Sequence, residues 1–188
     1  SDRKKKVFIQ LGAVLLVAFA IQSFQGSIPR SPLALAAVDE LRGWAWSSNI
    51  GWVSFNCADT ASCSGSDYKV SVDSVTGLLS GYAWSSNVGW IRFDPPPDSL
   101  TGRYPEDPQR PSRIDIPGSA SSPLSGWARA LSNNVSNGGW DGWINMSGVS
   151  ISGSGFSGFA WGGDIVGWLN FDAVTRGGGG PSPACPTF

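Results

Sequence analysis

One pattern recurs four times in this chain, and it constrains the fold more than any other feature. It first reads Leu41-Arg42-Gly43-Trp44-Ala45-Trp46, then a short connection, then Gly51-Trp52-Val53-Ser54-Phe55. It returns as Leu79-Ser80-Gly81-Tyr82-Ala83-Trp84 with Gly89-Trp90-Ile91-Arg92-Phe93, and again as Phe156-Ser157-Gly158-Phe159-Ala160-Trp161 with Gly167-Trp168-Leu169-Asn170-Phe171. The remaining copy begins Leu124-Ser125-Gly126-Trp127-Ala128-Arg129 and resumes at Gly142-Trp143-Ile144-Asn145-Met146. Nine of the ten Trp fall on this template, and only Trp140 does not. Units this short bury a core only by pairing with their neighbours, so the copies must assemble into one domain.

Within each copy the apolar residues alternate with period two, which is the signature of a half-buried strand. The connection Ser-Ser-Asn-[Ile/Val]-Gly suits a tight hairpin, because Asn and Gly tolerate positive φ. Each copy therefore reads as a β-hairpin. The template glycines Gly43, Gly81, Gly126 and Gly158 are 38, 45 and 32 residues apart. The segments Tyr68–Asp73, Arg113–Ile116 and Val149–Ser152 also alternate, so a full unit is three short strands, the first copy lacking its leader. Alternation puts Val53/Phe55, Ile91/Phe93, Ile144/Met146 and Leu169/Phe171 on one face, which is the expected core. The opposite face carries Trp52, Trp90, Trp143 and Trp168. Their expected role is mainly packing, each Trp lying over the Gly/Ala trough of its partner strand.

The expected fold is all-β, an antiparallel repeat of about four Trp-rich hairpins over residues 37–175, closed as a sandwich or a barrel. Composition agrees: only 14% of residues are charged, and Gly numbers 25. Histidine is absent, which excludes His-based nucleophilic sites and His-ligated zinc. No cofactor is expected. Residues 37–188 carry eight basic and thirteen acidic side chains without a Lys/Arg run, which argues against nucleic acid as a partner.

The N-terminus has its own logic. Arg3-Lys4-Lys5-Lys6 precedes an apolar run from Val7, and Ala34-Leu35-Ala36 is a small-x-small site. This order predicts a secretory signal peptide cleaved after Ala36, with an uncleaved membrane-anchor helix as the alternative reading of residues 1–36. Any membrane contact would run through residues 7–24 in the uncleaved form. Export allows disulfides, and Cys57 and Cys63 are spaced to form one. Cys185 is left over in residues 176–188, a flexible Gly/Pro-rich tail.

The repeat carries two excursions. Thirteen residues separate Arg129 from Trp143, against five between Trp46 and Trp52. This inserted loop holds Asn137, Trp140 and Asp141, a set suited to stacking on a sugar and bonding its hydroxyls. Trp140, Asp141 and Asn137 are the candidate ligand-binding residues, together with any exposed ring among Trp52, Trp90, Trp143 and Trp168. The second excursion runs from Asp94 to Arg113 and contains Pro95, Pro96, Pro97, Pro105, Pro108 and Pro111. It reads as an extended surface segment bearing Asp94, Asp98, Glu106 and Asp107.

The copies resemble the G-[WYF]-A-W-S-x-N-[IV]-G-W-[IV]-x-F repeats of predicted secreted and surface proteins of uncultured bacteria. The resemblance spans roughly residues 38–174; the third copy departs from it with Arg129 in place of Trp and a longer loop. It implies export and a surface setting, and it carries over no catalytic or binding residue. The function expected is a non-catalytic secreted or cell-surface module for adhesion and carbohydrate binding, with glycans or neighbouring copies of itself as partners. The alternatives are a structural subunit of an extracellular filament or surface layer, and a glycan hydrolase using paired carboxylates.

Overall fold

The computed structural model describes residues 38–99, 101–133 and 139–177. The expected leader or anchor helix over residues 1–36, Asn137 and Cys185 lie outside them. The strands are β1 (Val38–Ser47), β2 (Gly51–Ser54), β3 (Val70–Asp73), β4 (Leu79–Ser85), β5 (Gly89–Arg92) and β6 (Arg113–Ile114). They continue with β7 (Ser121–Ser125), β8 (Trp127–Ala130), β9 (Trp143–Asn145), β10 (Val149–Ser152), β11 (Gly155–Trp161) and β12 (Trp168–Arg176).

The four repeats form the four hairpins β1–β2, β4–β5, β8–β9 and β11–β12. Each hairpin pairs with the next, and β12 pairs back with β1. The result is a closed antiparallel barrel of eight strands, so the sandwich alternative falls away. Closure leaves the ring of hairpins without an open edge.

The leading strands extend the same wall. β2 and β3 lie end to end between β1 and β4: β2 faces Trp44–Ser47 of β1, and β3 faces Val38–Glu40. β9 and β10 likewise share β11 as a neighbour. The chain therefore leaves the wall after each second strand, makes an excursion, and re-enters below. The template glycine marks this seam. Gly81 has φ +92°, and a Cβ there would lie 2.2 Å from the Lys69 carbonyl oxygen. Gly158 repeats the arrangement at φ +93°, 2.3 Å from the Gly148 oxygen. The close approach lets Tyr82 N donate to Lys69 O at 2.9 Å and Phe159 N to Gly148 O at 3.0 Å.

The barrel is filled by the expected face. Val53, Phe55, Ile91, Phe93, Ile144, Met146, Leu169 and Phe171 are all buried. Phe55 sits centrally, with ring centroids 5.4 Å from both Phe93 and Phe171. Ala45, Ala83, Ala128 and Ala160 also point inward, paired with Val53, Ile91, Ile144 and Leu169 across each hairpin. A small residue opposite a large one suits the cramped interior of an eight-stranded barrel. Because these alanines face inward, no Trp lies over a Gly/Ala trough; the second-strand Trp rings rest on aromatic neighbours outside the barrel instead.

The hairpin turns close one end. Ile50, Val88 and Val166 belong to the buried core. Adjacent turns are tied together: Asn49 Nδ2 donates to Asp164 O at 3.0 Å, Asn87 Nδ2 to Ile50 O at 2.9 Å, and Ser132 Oγ to Val88 O at 2.7 Å. Ser47 Oγ donates to Val166 O. The turn Asn thus joins one repeat to the next, a role beyond its tolerance of turn geometry. In the third copy the strand expected over Arg113–Ile116 stops at Ile114, leaving Ile116 exposed, and Ser121–Ser125 supplies the pairing with β10.

Candidate functional site: aromatic platforms on the barrel wall

Inward alanines force their neighbours outward. Each first strand therefore shows two side chains to the outside, and the second-strand Trp lies opposite one of them. The cross-strand pairs are Trp46/Trp52, Trp84/Trp90 and Trp161/Trp168, with Arg129/Trp143 in the third hairpin. Ring centroids are 6.3, 4.6 and 4.7 Å apart in the three Trp pairs. Trp44, Tyr82 and Trp127 add an edge contact from the other side at 6.3–6.4 Å. Such pairs contribute about 0.5–1.5 kcal/mol each beyond area burial. Every hairpin so carries a stiff aromatic platform.

The platforms differ in what borders them, because the excursions differ. The segment after β2 is closed by a Cys57–Cys63 disulfide, as its spacing predicted. Tyr68 anchors it: its hydroxyl donates to Ser54 Oγ at 2.9 Å, and its ring meets Trp90 at 5.2 Å. Ser54 and Asn56, which alternate with Val53 and Phe55 and so face away from the core, are buried beneath it. A groove of about 360 Å³ results, lined by Thr60, Ser62, Ser66, Tyr68, Trp84 and Trp90. An adjoining hollow brings in Asp67, Tyr82 and Leu131. Trp84 and Tyr82 are exposed at its rim. Thr60 and Ser62 share a 2.7 Å hydrogen bond, and both hydroxyls lie beside the rings.

The fourth platform has a similar border. Asn145, Ser147 and Gly148 face Phe159, Trp161 and Trp168 across about 340 Å³. Trp168 is 60% exposed, the most open ring on the barrel wall.

The third platform is covered by its own chain. Trp127 and Trp143 are each only 6% exposed. Tyr104 of the Pro-rich excursion meets Trp143 at 5.5 Å, and Trp127 Nε1 donates to Glu106 O at 3.2 Å. The Arg129 guanidinium lies 4.5 Å over the Trp143 ring and pairs with Asp98 at 3.6 Å. Arg129 Nε also donates to Asp141 O at 2.9 Å. Both sequence excursions therefore converge on the one copy that breaks the template. Burial, with Asp94 nearby, pushes the Tyr104 hydroxyl above its usual value.

The candidate residues thus fall in different places. Trp168 is exposed, Trp52 and Trp90 are half-buried, and Trp143 is buried. Asp141 is exposed, with Oδ1 accepting from Trp143 N at 3.2 Å. Trp140, the one Trp outside the template, is partly buried and packs against the core cluster. Its indole nitrogen lies 3.9 Å from where a Cβ on Gly163 would stand, at the barrel end where Ile50, Val88 and Val166 belong to the other three turns. Sequence reasoning missed Trp84, Tyr82, Trp161 and Phe159, whose exposure follows once the intervening alanines are known to face inward. It also missed Thr60, Ser62, Ser66, Asn145 and Ser147, which no local pattern marks. Among the acids, Asp94 is held by Arg92 at 3.1 Å and accepts from Gly81 N at 3.3 Å, a structural role at the seam. Among the described residues no group of three or more His, Cys, Asp or Glu is placed to hold a metal ion. No protein-family model matches the chain, and no curated protein or solved structure matches it either.

Proposed function

We propose that this barrel is a non-catalytic module, exported to the cell surface or beyond, that binds carbohydrate on its outward aromatic platforms. The observation that carries the reading is the second-hairpin groove, where Trp84, Trp90 and Tyr82 stand beside the hydroxyls of Thr60, Ser62 and Ser66 and the Asp67 carboxylate. A pyranose has an apolar C–H face and an equatorial rim of hydroxyls. An indole held by neighbouring rings loses little entropy on meeting the first, and the hydroxyl and carboxylate groups answer the second. Export is supported by the leader pattern of residues 1–36 and by a disulfide that suits an oxidising compartment.

A glycan array probed with the wild type and with Trp84→Ala tests this. The expected result is binding by the wild type and a loss of at least about tenfold in the variant, which corresponds to about 1.4 kcal/mol, with a thermal melt showing that the variant, though less stable for want of the Trp84/Trp90 contact, is still folded at the assay temperature. A wild type that binds no glycan removes the reading.

A further inference from the structure

We propose that the fourth hairpin carries a second glycan site on the opposite side of the barrel, so that one molecule bridges two neutral glycan chains. The inference rests on the carbohydrate reading above and adds the number, placement and ligand class of the sites. Around the closed ring the strand order is β12-β1-β2-β4-β5-β8-β9-β11. The β4–β5 hairpin and the β11–β12 hairpin are separated by β1–β2 in one direction and by β8–β9 in the other. Their outward rings therefore point away from each other, and no single short oligosaccharide reaches both.

The two sites share a construction. Each has a cross-strand Trp pair, Trp84/Trp90 and Trp161/Trp168, with centroids 4.6 and 4.7 Å apart. Each has a second exposed ring two residues earlier on the first strand, Tyr82 and Phe159. Each is bordered by hydroxyl or amide groups at or just beyond the end of the preceding hairpin: Thr60, Ser62 and Ser66 at one, Asn145, the last residue of β9, and Ser147 at the other.

The third hairpin shows what such a platform accepts. There Tyr104 sets a ring edge against Trp143 at 5.5 Å and Arg129 holds its guanidinium 4.5 Å over that ring, while the Glu106 carbonyl accepts the Trp127 indole N–H. That platform takes an apolar edge together with an oxygen acceptor; at the fourth, where Phe159 stands in place of Trp127, the hydrogen-bonding groups are those of Asn145 and Ser147. A sugar chain offers that combination; at the second platform Tyr68 already meets Trp90 at 5.2 Å but leaves Trp84 exposed, whereas among the described residues no ring of an excursion meets the Trp161/Trp168 pair. The charge of the linings narrows the class. Among the described residues no Lys or Arg lines either groove, and Asp67 lies at one. Uronic and sialylated chains would find no cation and one repelling carboxylate. A flat indole further prefers a ring whose substituents are equatorial, because an axial hydroxyl would stand between the faces. Neutral β-1,4-linked chains of glucose or N-acetylglucosamine meet both conditions.

Calorimetric titration with cellohexaose and chitohexaose tests the proposal, with hexagalacturonate as the anionic arm. The expected stoichiometry is two hexasaccharides per wild-type chain, one for Trp84→Ala, one for Trp168→Ala and none for the double variant. Phe159→Ala, at a ring 47% exposed, serves as a second fourth-hairpin probe should Trp168→Ala fail to fold. On an immobilised glycan mat the wild type should hold roughly 10²–10⁴-fold more tightly than either single-site variant, because the second contact becomes intramolecular. One hexasaccharide per wild-type chain, unaffected by Trp168→Ala, overturns the second site and leaves the carbohydrate reading standing. Preference for hexagalacturonate overturns the ligand class. Binding of a synthetic peptide copying residues 103–108, without binding of any glycan, overturns both the inference and the reading beneath it.

Discussion

Replacing Gly81 by Ala puts the seam of the barrel to a direct test. Gly81 has φ +92°, a conformation that costs an L residue about 1–3 kcal/mol. The new Cβ would also stand 2.2 Å from the Lys69 carbonyl oxygen, which is fixed by its bond to Tyr82 N. Forcing β3 away from β4 to make room adds about 1–3 kcal/mol, the usual penalty of overpacking. The expected loss is about 2–6 kcal/mol. For a domain of this size that lowers the melting temperature by roughly 3–5 °C per kcal/mol. Gly153 is the control. It also has positive φ, +60°, but a Cβ there meets nothing within 4 Å. Gly153→Ala should cost only the left-handed backbone term, about 1–2 kcal/mol. Urea denaturation of both variants, followed by Trp fluorescence, measures the difference. Equal losses in the two variants would refute the claim that close approach across the seam, rather than φ alone, requires the template glycine.

Three further outcomes follow from the same structure. Trp140→Ala should destabilise by about 2–4 kcal/mol in a thermal melt, somewhat below the value for a fully buried ring, because Trp140 packs on the core at the barrel end; no change in melting temperature would return it to the ligand-binding set. Reducing Cys57–Cys63, which closes a loop with a sequence separation of 6, should cost about 2 kcal/mol by loop entropy, and peptide mapping under non-reducing conditions should find these two joined to each other and not to Cys185. Acid should weaken the fold through Asp73, whose carboxyl is held below its usual value by the N–H groups of Thr76 at 2.7 Å and Val75 at 2.9 Å. Because the folded carboxyl binds its proton less readily than the unfolded one, this stabilisation is complete above about pH 4 and disappears as pH falls through the lowered folded value. Glu40 acts in the same direction through its 2.8 Å contact with Lys69. Asp73→Asn should flatten the fall in melting temperature between about pH 4 and pH 2.

The repeat alone determined the hairpins, their core face and the all-β class, because a period of two along Val53/Phe55 or Ile91/Phe93 is a local property written in consecutive residues. The Cys57–Cys63 pairing was equally local. Closure was not, since it depends on β12 meeting β1 some 130 residues away in sequence, Ala173 opposite Trp44. Nor could the chain announce which way Ala83 and its equivalents face, because an alanine is small enough for either a covered trough or a barrel interior. That single choice turned Tyr82, Trp84, Phe159 and Trp161 outward and made platforms of them. Trp140 shows the converse: it lies outside the template, so no periodicity marks it for packing, yet the barrel end filled by Ile50, Val88 and Val166 has room for an apolar ring from the third turn. Which platforms stay open was decided last, by where three connecting segments of different length come to rest. The segment after β5 covers Trp143, whereas the shorter segments after β2 and β9 only border Trp84 and Trp168. Loop paths are set by contacts between distant residues, such as Tyr104 with Trp143, and no periodicity in the sequence encodes them.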